Sequence, residues 1–376
     1  FHVVLRDARS GAKRALTADW DRSVSQLAAL PDGRRLMASA DDLGQHALFS
    51  IDLASGKPTR LWNQGQITDF TVARDTVVIA LASLAAPADL QAIRFNGGAL
   101  RRLTDVNGEL LRTRAMSAYE QFSFRGANDE TVYGYVMQPY GFTAGRKFPI
   151  AFVVHGGPQV SFANLWTSRW NAQAFAGGGY GVVFVDFHGS PGYGQKFTDS
   201  ISGDWGGKPL VDLQKGLEAA LAKYPWLDGE RACSLGASYG GFMQNWIAGN
   251  WPDRFRCLVN HSGIFDQRLM YYSTEELWFP EWEFGGPYFE KPENYERFNP
   301  ADLVTRWRTP TLIIHGARDY RVPYSQGLAA FTALQRRGIE SRFLYFPDEG
   351  HWILKPANSE LWYHTVLDWL DRHLKE

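Results

Sequence analysis

The sequence predicts an α/β chain whose main part is a mostly parallel sheet covered by helices on both faces, preceded by an incomplete, repetitive all-β segment. Three observations predict it. Before about residue 115 short alternating strands recur with Gly-containing turns, and from about residue 118 continuous apolar runs alternate with helical stretches. Between one such run and a helical one stands a Gly-x-Ser-x-Gly.

The first part repeats loosely about every 45 residues, the length of one four-stranded propeller blade. "FHVVLRDARSGAKRALT", "ALFSIDLASGKPTRLW" and "LQAIRFNGGALRRLT" share a short alternating strand, a Gly-containing turn and a basic-hydrophobic strand. Between them, turns at Pro-Asp-Gly, Asp-Leu-Gly and Ser-Gly-Lys separate successive strands. About two blades and the tail of a third fit before residue 115, whereas a closed propeller has about four to eight. Residues 1–115 are therefore expected to be the C-terminal blades of a β-propeller, the chain beginning mid-propeller. The remaining blades would lie on a separate, proteolytically released chain or have been lost.

In residues 116–376, "AYEQFSFRG" and "TVYGYVMQP" read as a hairpin. Five apolar segments follow with helical stretches between them: "FPIAFVVHGG", "GVVFVDFHG", "RACSLGASYGG", "FRCLVNHSG" and "TPTLIIHGARD", then "SRFLYFPDEGH" and a final amphipathic helix, "ELWYHTVLDWLDRHLKE". Continuous Val/Ile/Phe strands joined through helices imply a parallel sheet buried on both faces, with chemistry at the carboxyl ends of the strands.

Composition narrows the function classes. Lys plus Arg (39) balance Asp plus Glu (40), and no basic run marks a footprint for nucleic acid or an anionic membrane. The longest apolar runs have the length of one buried strand, far short of the roughly 20 residues of a membrane span. The amino end carries no methionine or signal-type core, so any targeting segment is expected outside this chain. The two cysteines, Cys233 and Cys257, exclude a disulfide framework and a cysteine-rich metal site. Each lies near the start of a neighbouring strand, so they can pair; two buried free thiols are the favoured expectation. No metal and no cofactor are expected.

Ser238 sits where "RACSLGASYGG" passes from a strand into "FMQNWIAGN", at the strand-to-helix turn a nucleophile elbow requires. Glycines two before and two after it let the backbone turn tightly and leave the hydroxyl above the sheet. An acid and a histidine should follow in that order, each in a loop after a later strand. Asp319 follows "TPTLIIHG" and His351 follows "SRFLYF". His315, His364 and His373 read as structural or solvent-facing, and Asp348 and Glu349 lie too close to His351 in sequence to reach its far ring nitrogen. Ser238, His351 and Asp319 form a candidate nucleophile, base and orienting acid. The backbone amide of Tyr239, just after the serine, is one expected oxyanion donor, and Gly157 in "HGGP" the second.

Residues from about 118 onward resemble the catalytic domain of the prolyl oligopeptidase family of serine peptidases. The motifs are "HGGP", "DFHGSPGYGQ", "GDWGGKPLVDL", "GASYGGFMQNWIAGN", "HGARDYRVP" and "DEGHWI". "HGGP" and "GASYGG" resemble the acylaminoacyl-peptidase branch, and within it "NHSGIFD" and "STEELWFPEWEFGG" resemble dipeptidyl-peptidases. The resemblance implies an α/β-hydrolase fold behind a propeller that caps the site and admits short peptides. It places the triad on Ser238, Asp319 and His351 and the oxyanion donors on the Tyr239 and Gly157 amides. It implies release of N-terminal dipeptides after an apolar or small residue, with release of N-acylated amino acids, or ester hydrolysis, as alternatives.

A free α-ammonium needs a carboxylate partner. Glu275, Glu276, Glu281 and Glu283 are candidates among Trp278, Phe279 and Trp282, with a solvated acidic segment as the plain alternative. A homodimer and a periplasmic or secreted location are expected from resemblance alone.

Overall fold

The computed structural model describes residues 1–162 and 164–375. The chain divides into two compact units: Phe1–Ala118 with Ser161–Asn171 and Ser190–Thr198, and Tyr119–Val160 with Ala172–Gly189 and Asp199–Glu376.

The first unit is all β. A short hairpin pairs β1 (Val4–Arg6) with β2 (Lys13–Ala15). An antiparallel meander follows: β3 (Val24–Ala29), β4 (Arg35–Asp42), β5 (Gln45–Asp52) and β6 (Pro58–Trp62). A second comprises β7 (Gln66–Ala73), β8 (Thr76–Ser83), β9 (Ala86–Arg94) and the two-residue β10 (Arg101–Arg102). The two four-stranded meanders join in one sheet through a single β5–β7 pairing, His46 with Gln66, an arrangement consistent with propeller blades.

The Asp-Leu-Gly turn expected from sequence joins β4 to β5 through Leu43 (φ 53°) and Gly44 (φ 77°), two positive-φ residues that match the twist of the flanking strands. Alternation along the strands turns Leu30, Met37, Leu48, Ile67, Phe70, Val77, Ile79 and Ile93 into one buried cluster.

The second unit holds an eight-stranded sheet. Its strands are β11 (Tyr119–Arg125), β12 (Thr131–Met137), β13 (Phe148–Val154), β14 (Gly181–Asp186), β15 (Leu227–Ala237), β16 (Cys257–His261), β17 (Thr311–Gly316) and β18 (Ser341–Phe346), in the order β11-β12-β14-β13-β15-β16-β17-β18. β11, the expected hairpin partner of β12, and β12 run antiparallel; the pairs from β13 onward are parallel. β13, β14, β16 and β17 are buried at every residue, because helices cover both faces. Those helices are α1 (Ala172–Gly177), α2 (Lys208–Lys223), α3 (Tyr239–Asn250), α4 (Ser325–Arg336) and α5 (Pro356–Leu374). The fold is that of an α/β-hydrolase preceded by propeller blades.

From β13 the chain winds first to β14 on one side and then to β15 on the other, which opens a crevice at the carboxyl ends of β13 and β15.

The expectation of two free thiols is corrected. Cys233 on β15 and Cys257 on β16 are register partners with Cα atoms 4.7 Å apart, and their sulfurs are bonded. Directly paired residues on adjacent strands project their side chains to the same face, which brings two cysteines into bonding range. With a sequence separation of 24, the cross-link removes loop entropy worth roughly 3 to 4 kcal/mol from the unfolded chain. Cys233→Ser with Cys257→Ser should lower the melting temperature, and reduction should lower that of the unaltered protein similarly; calorimetry with and without reductant checks this.

Candidate active site

Four loops at the carboxyl ends of strands carry the candidate residues in the second unit, and the strand order decides which are neighbours. β13 and β15 are neighbours, so "HGGP" after one lies against Ser238 after the other. β17 and β18 are neighbours, so the Asp319 loop lies against the His351 loop.

Ser238 has φ 59° and ψ −120°, a conformation L-residues avoid, and it caps α3. Its amide donates to the His261 carbonyl (2.9 Å) and its carbonyl accepts from Phe242 (2.8 Å), so both sides of the strained residue are held. The glycines around it are required by space. A Cβ at Gly240 would lie 2.2 Å from the Val154 carbonyl oxygen, and one at Gly236 would lie 2.4 Å from the Gly240 carbonyl oxygen. A Cβ at Gly156 would lie 3.3 Å from that of Ser238, which shows how closely the oxyanion loop approaches the elbow. Tyr239 opens α3, where backbone N–H groups lack intrahelical partners. Gly157 adopts φ +116°, which turns the strand-exit loop at the position the sequence singled out.

The Asp319 carboxylate is fully buried. Its Oδ2 accepts from His351 Nδ1 at 2.8 Å, and its Oδ1 accepts from the amides of Val322 (2.9 Å) and Arg321 (3.1 Å). Burial alone would raise its pKa. Hydrogen bonds from His315 and His351, and the charges those rings can carry, outweigh it and hold the carboxyl well below its usual range. An ionised acid on Nδ1 fixes the imidazole with Nε2 as the proton-accepting nitrogen.

His315, expected to be structural, is fully buried with Nε2 3.4 Å from Asp319 and 2.7 Å from the Val322 carbonyl. It is thus part of the acid's surroundings, a proximity that only its four-residue spacing from Asp319 could have signalled. The other bystanders remain bystanders. Glu349 accepts from the Leu354 and Lys355 amides and Asn358, and Asp348 is taken up by Lys355 and Asn358. His364 is solvent-facing beside Glu360.

The "STEELWFPEWEF" residues scatter. Glu276 pairs with Arg321 at 2.8 Å, and the half-exposed Glu275 lies 3.8 Å from the same guanidinium. Glu281 accepts from the Tyr271 hydroxyl (3.0 Å). Trp278 and Trp282, candidates for substrate contact, are exposed, 67% and 75%. Phe279 packs on Trp205 (5.9 Å), which itself packs on Tyr239 (5.2 Å). Glu283 is buried and accepts from Trp205 Nε1 (2.7 Å), Gln159 Nε2 (2.7 Å) and Ser202 (3.4 Å). Sequence reasoning missed Trp205 and Gln159 as neighbours of the site, although both lie beside motifs it had singled out, "GDWGG" and "HGGP".

His155, at the head of "HGGP", is buried and stacked on Phe187 with ring centroids 4.0 Å apart. Burial pushes its pKa down to about 4, against a weaker opposing hydrogen bond to the Gly156 carbonyl, so it is neutral at pH 7. No His/Cys/Asp/Glu cluster among the described residues is arranged to hold a metal, and none of their helices is long and apolar enough to cross a membrane.

A family model described as the prolyl oligopeptidase family of peptidases matches residues 166–376, more than half of the chain. The chain belongs to this family. Curated relatives match it along its whole length. Dipeptidyl-peptidase 5 of Schizosaccharomyces pombe is 38% identical over 379 residues, covering 100% of this chain and 55% of that protein. The Porphyromonas gingivalis protein of that name is 35% identical, with the same coverage of both chains. This chain thus spans about half the length of the curated relatives it matches. Among solved structures, acylaminoacyl peptidase of Pyrococcus horikoshii superposes with TM-score 0.88 at 25% identity, over 100% of this chain and 59% of that one. Porphyromonas gingivalis dipeptidyl peptidase 4, at 20% identity and TM-score 0.82, covers 99% of this chain and 53% of that one and shares the fold.

Proposed function

We propose that this chain carries the catalytic centre of a serine exopeptidase that removes N-terminal dipeptides from short peptides. The observation that carries the reading is the buried Asp319 carboxylate 2.8 Å from His351 Nδ1, in loops at the carboxyl edge of the same sheet whose strand β15 ends in the Ser238 elbow. His351 Nε2 takes the proton of the Ser238 hydroxyl as Oγ attacks the scissile carbonyl. Asp319 stays ionised and stabilises the imidazolium. The amides of Tyr239 and Gly157 receive the developing oxyanion. His351 then protonates the leaving amine, and water, activated by the same ring, hydrolyses the acyl-enzyme. Dipeptide release is supported by the dipeptidyl-peptidase 5 relatives.

The second reading, release of N-acylated amino acids, is favoured by the pairing of Glu276 with Arg321, which uses up one carboxylate that could meet an α-ammonium. It is also favoured by the acylaminoacyl peptidase likeness. The test compares free dipeptide amides with acetylated amino-acid amides bearing the same leaving group. A higher kcat/KM on the free dipeptides is expected, and preference for the acetylated series would replace the first reading by the second. A location outside the cytosol is proposed with it, supported by the Cys233–Cys257 bond, since disulfides persist in oxidising compartments.

A further inference from the structure

Glu283 stands apart from the other glutamates of its segment. It is 2% exposed, and around its carboxylate stand donors from two different loops. Gln159 Nε2 donates at 2.7 Å, from the loop whose preceding turn holds Gly157. Trp205 Nε1 donates at 2.7 Å and Ser202 Oγ lies at 3.4 Å, both from the loop 202–205, which is fastened again by the Gly203 amide on the Glu283 carbonyl (2.8 Å). Trp205 in turn accepts the Tyr239 hydroxyl on its carbonyl oxygen (2.6 Å) and packs edge-on against that ring. One carboxylate therefore links, through a single side chain each, the residue two positions after Gly157 and the side chain of Tyr239.

We propose that Glu283 is a positioning residue that holds the Gly157 and Tyr239 amides at a fixed separation, so that both reach one oxyanion. This rests on Ser238 as nucleophile with those two amides as donors. The three groups facing the carboxylate all donate, which favours its acceptor-only, ionised form. Burial opposes that form and raises the pKa, and the charge of Asp199 adds to it. A buried charge is retained where its hydrogen bonds fix a geometry that apolar packing would leave loose. Because its carboxylate is buried and already meets three donors, Glu283 is poorly placed to receive a substrate ammonium.

The test uses whichever amide series the unaltered protein cleaves, with a matching peptidyl boronate whose tetrahedral adduct places an oxygen where the oxyanion forms. Glu283→Ala should lower kcat by about 10- to 100-fold with KM within about threefold, the signature of misplaced donors. Boronate affinity should fall by the same factor. Gln159→Ala, at a partly exposed position where folding is not at risk, should give the same signature at smaller amplitude. Glu283→Gln, which keeps an acceptor for the Trp205 N–H, should recover most of the loss. An unchanged kcat in both alanine variants would overturn the proposal, as would a loss confined to KM or to melting temperature with boronate affinity intact. If the unaltered protein cleaves neither series and takes up no organophosphate, the peptidase reading itself fails, and this proposal with it.

Discussion

Ser238→Ala should abolish turnover, lowering kcat by about a million-fold to the residual level that binding and oxyanion stabilisation leave when a nucleophile is removed. The fold should survive. The hydroxyl is not what holds the elbow: the Ser238 main chain is fixed by its own hydrogen bonds to His261 and Phe242, and the neighbouring glycines supply the space. Losing one small polar atom should cost about 1 kcal/mol or less. The check is steady-state kinetics on the preferred amide beside a thermal melt. An unchanged melt with no turnover is expected, and retained turnover in the folded variant would reject Ser238 as the nucleophile.

Asp319→Asn should be nearly as severe, about 10⁴-fold in kcat at neutral pH, with little effect on KM. The amide can donate to His351 Nδ1 and so stabilise the tautomer whose proton sits on Nε2, where it cannot accept from Ser238. It also removes the charge that stabilises the imidazolium. The same substitution has a predictable effect on acid stability. The Asp319 carboxyl is held below its ordinary value of 3.8, so it contributes stability that is fully present above about pH 5 and is lost as pH falls below that ordinary value toward the lower folded one. The unaltered protein should therefore lose stability more steeply than the asparagine variant as pH falls below about 4, as urea unfolding at stepped pH would show. Equal slopes would mean that Asp319 is not ionised and paired in the fold.

The site was legible where local pattern alone determines it. Gly-x-Ser-x-Gly between an apolar run and a helical one demands an elbow, and Ser238 adopts the positive φ such a turn needs. Asp319 and His351 were found because each follows an apolar strand in a set order, and strand adjacency then brings them together. The antiparallel strands of the first unit were legible too, from turn residues such as Leu43 and Gly44.

What was not legible depended on contacts across the sequence. Nothing local distinguishes Glu283, buried beneath Trp205, from Glu276, paired with Arg321, because burial is set by segments about 80 residues away. The exposure of Trp278 and Trp282 was not legible for the same reason: an aromatic run does not show which of its rings face solvent until the helix carrying it is placed. The Cys233–Cys257 bond required the register of β15 on β16, and a one-residue slip would have turned the two side chains to opposite faces.

Activation of Ser238 by His351 and Asp319 for covalent attack can be read out by titrating the protein with a fluorophosphonate and mapping the adduct by mass spectrometry. One adduct per chain is expected, on the peptide containing Ser238, absent in Ser238→Ala and formed far more slowly in Asp319→Asn. No adduct, or an adduct on another residue with Ser238 unmodified, would contradict it.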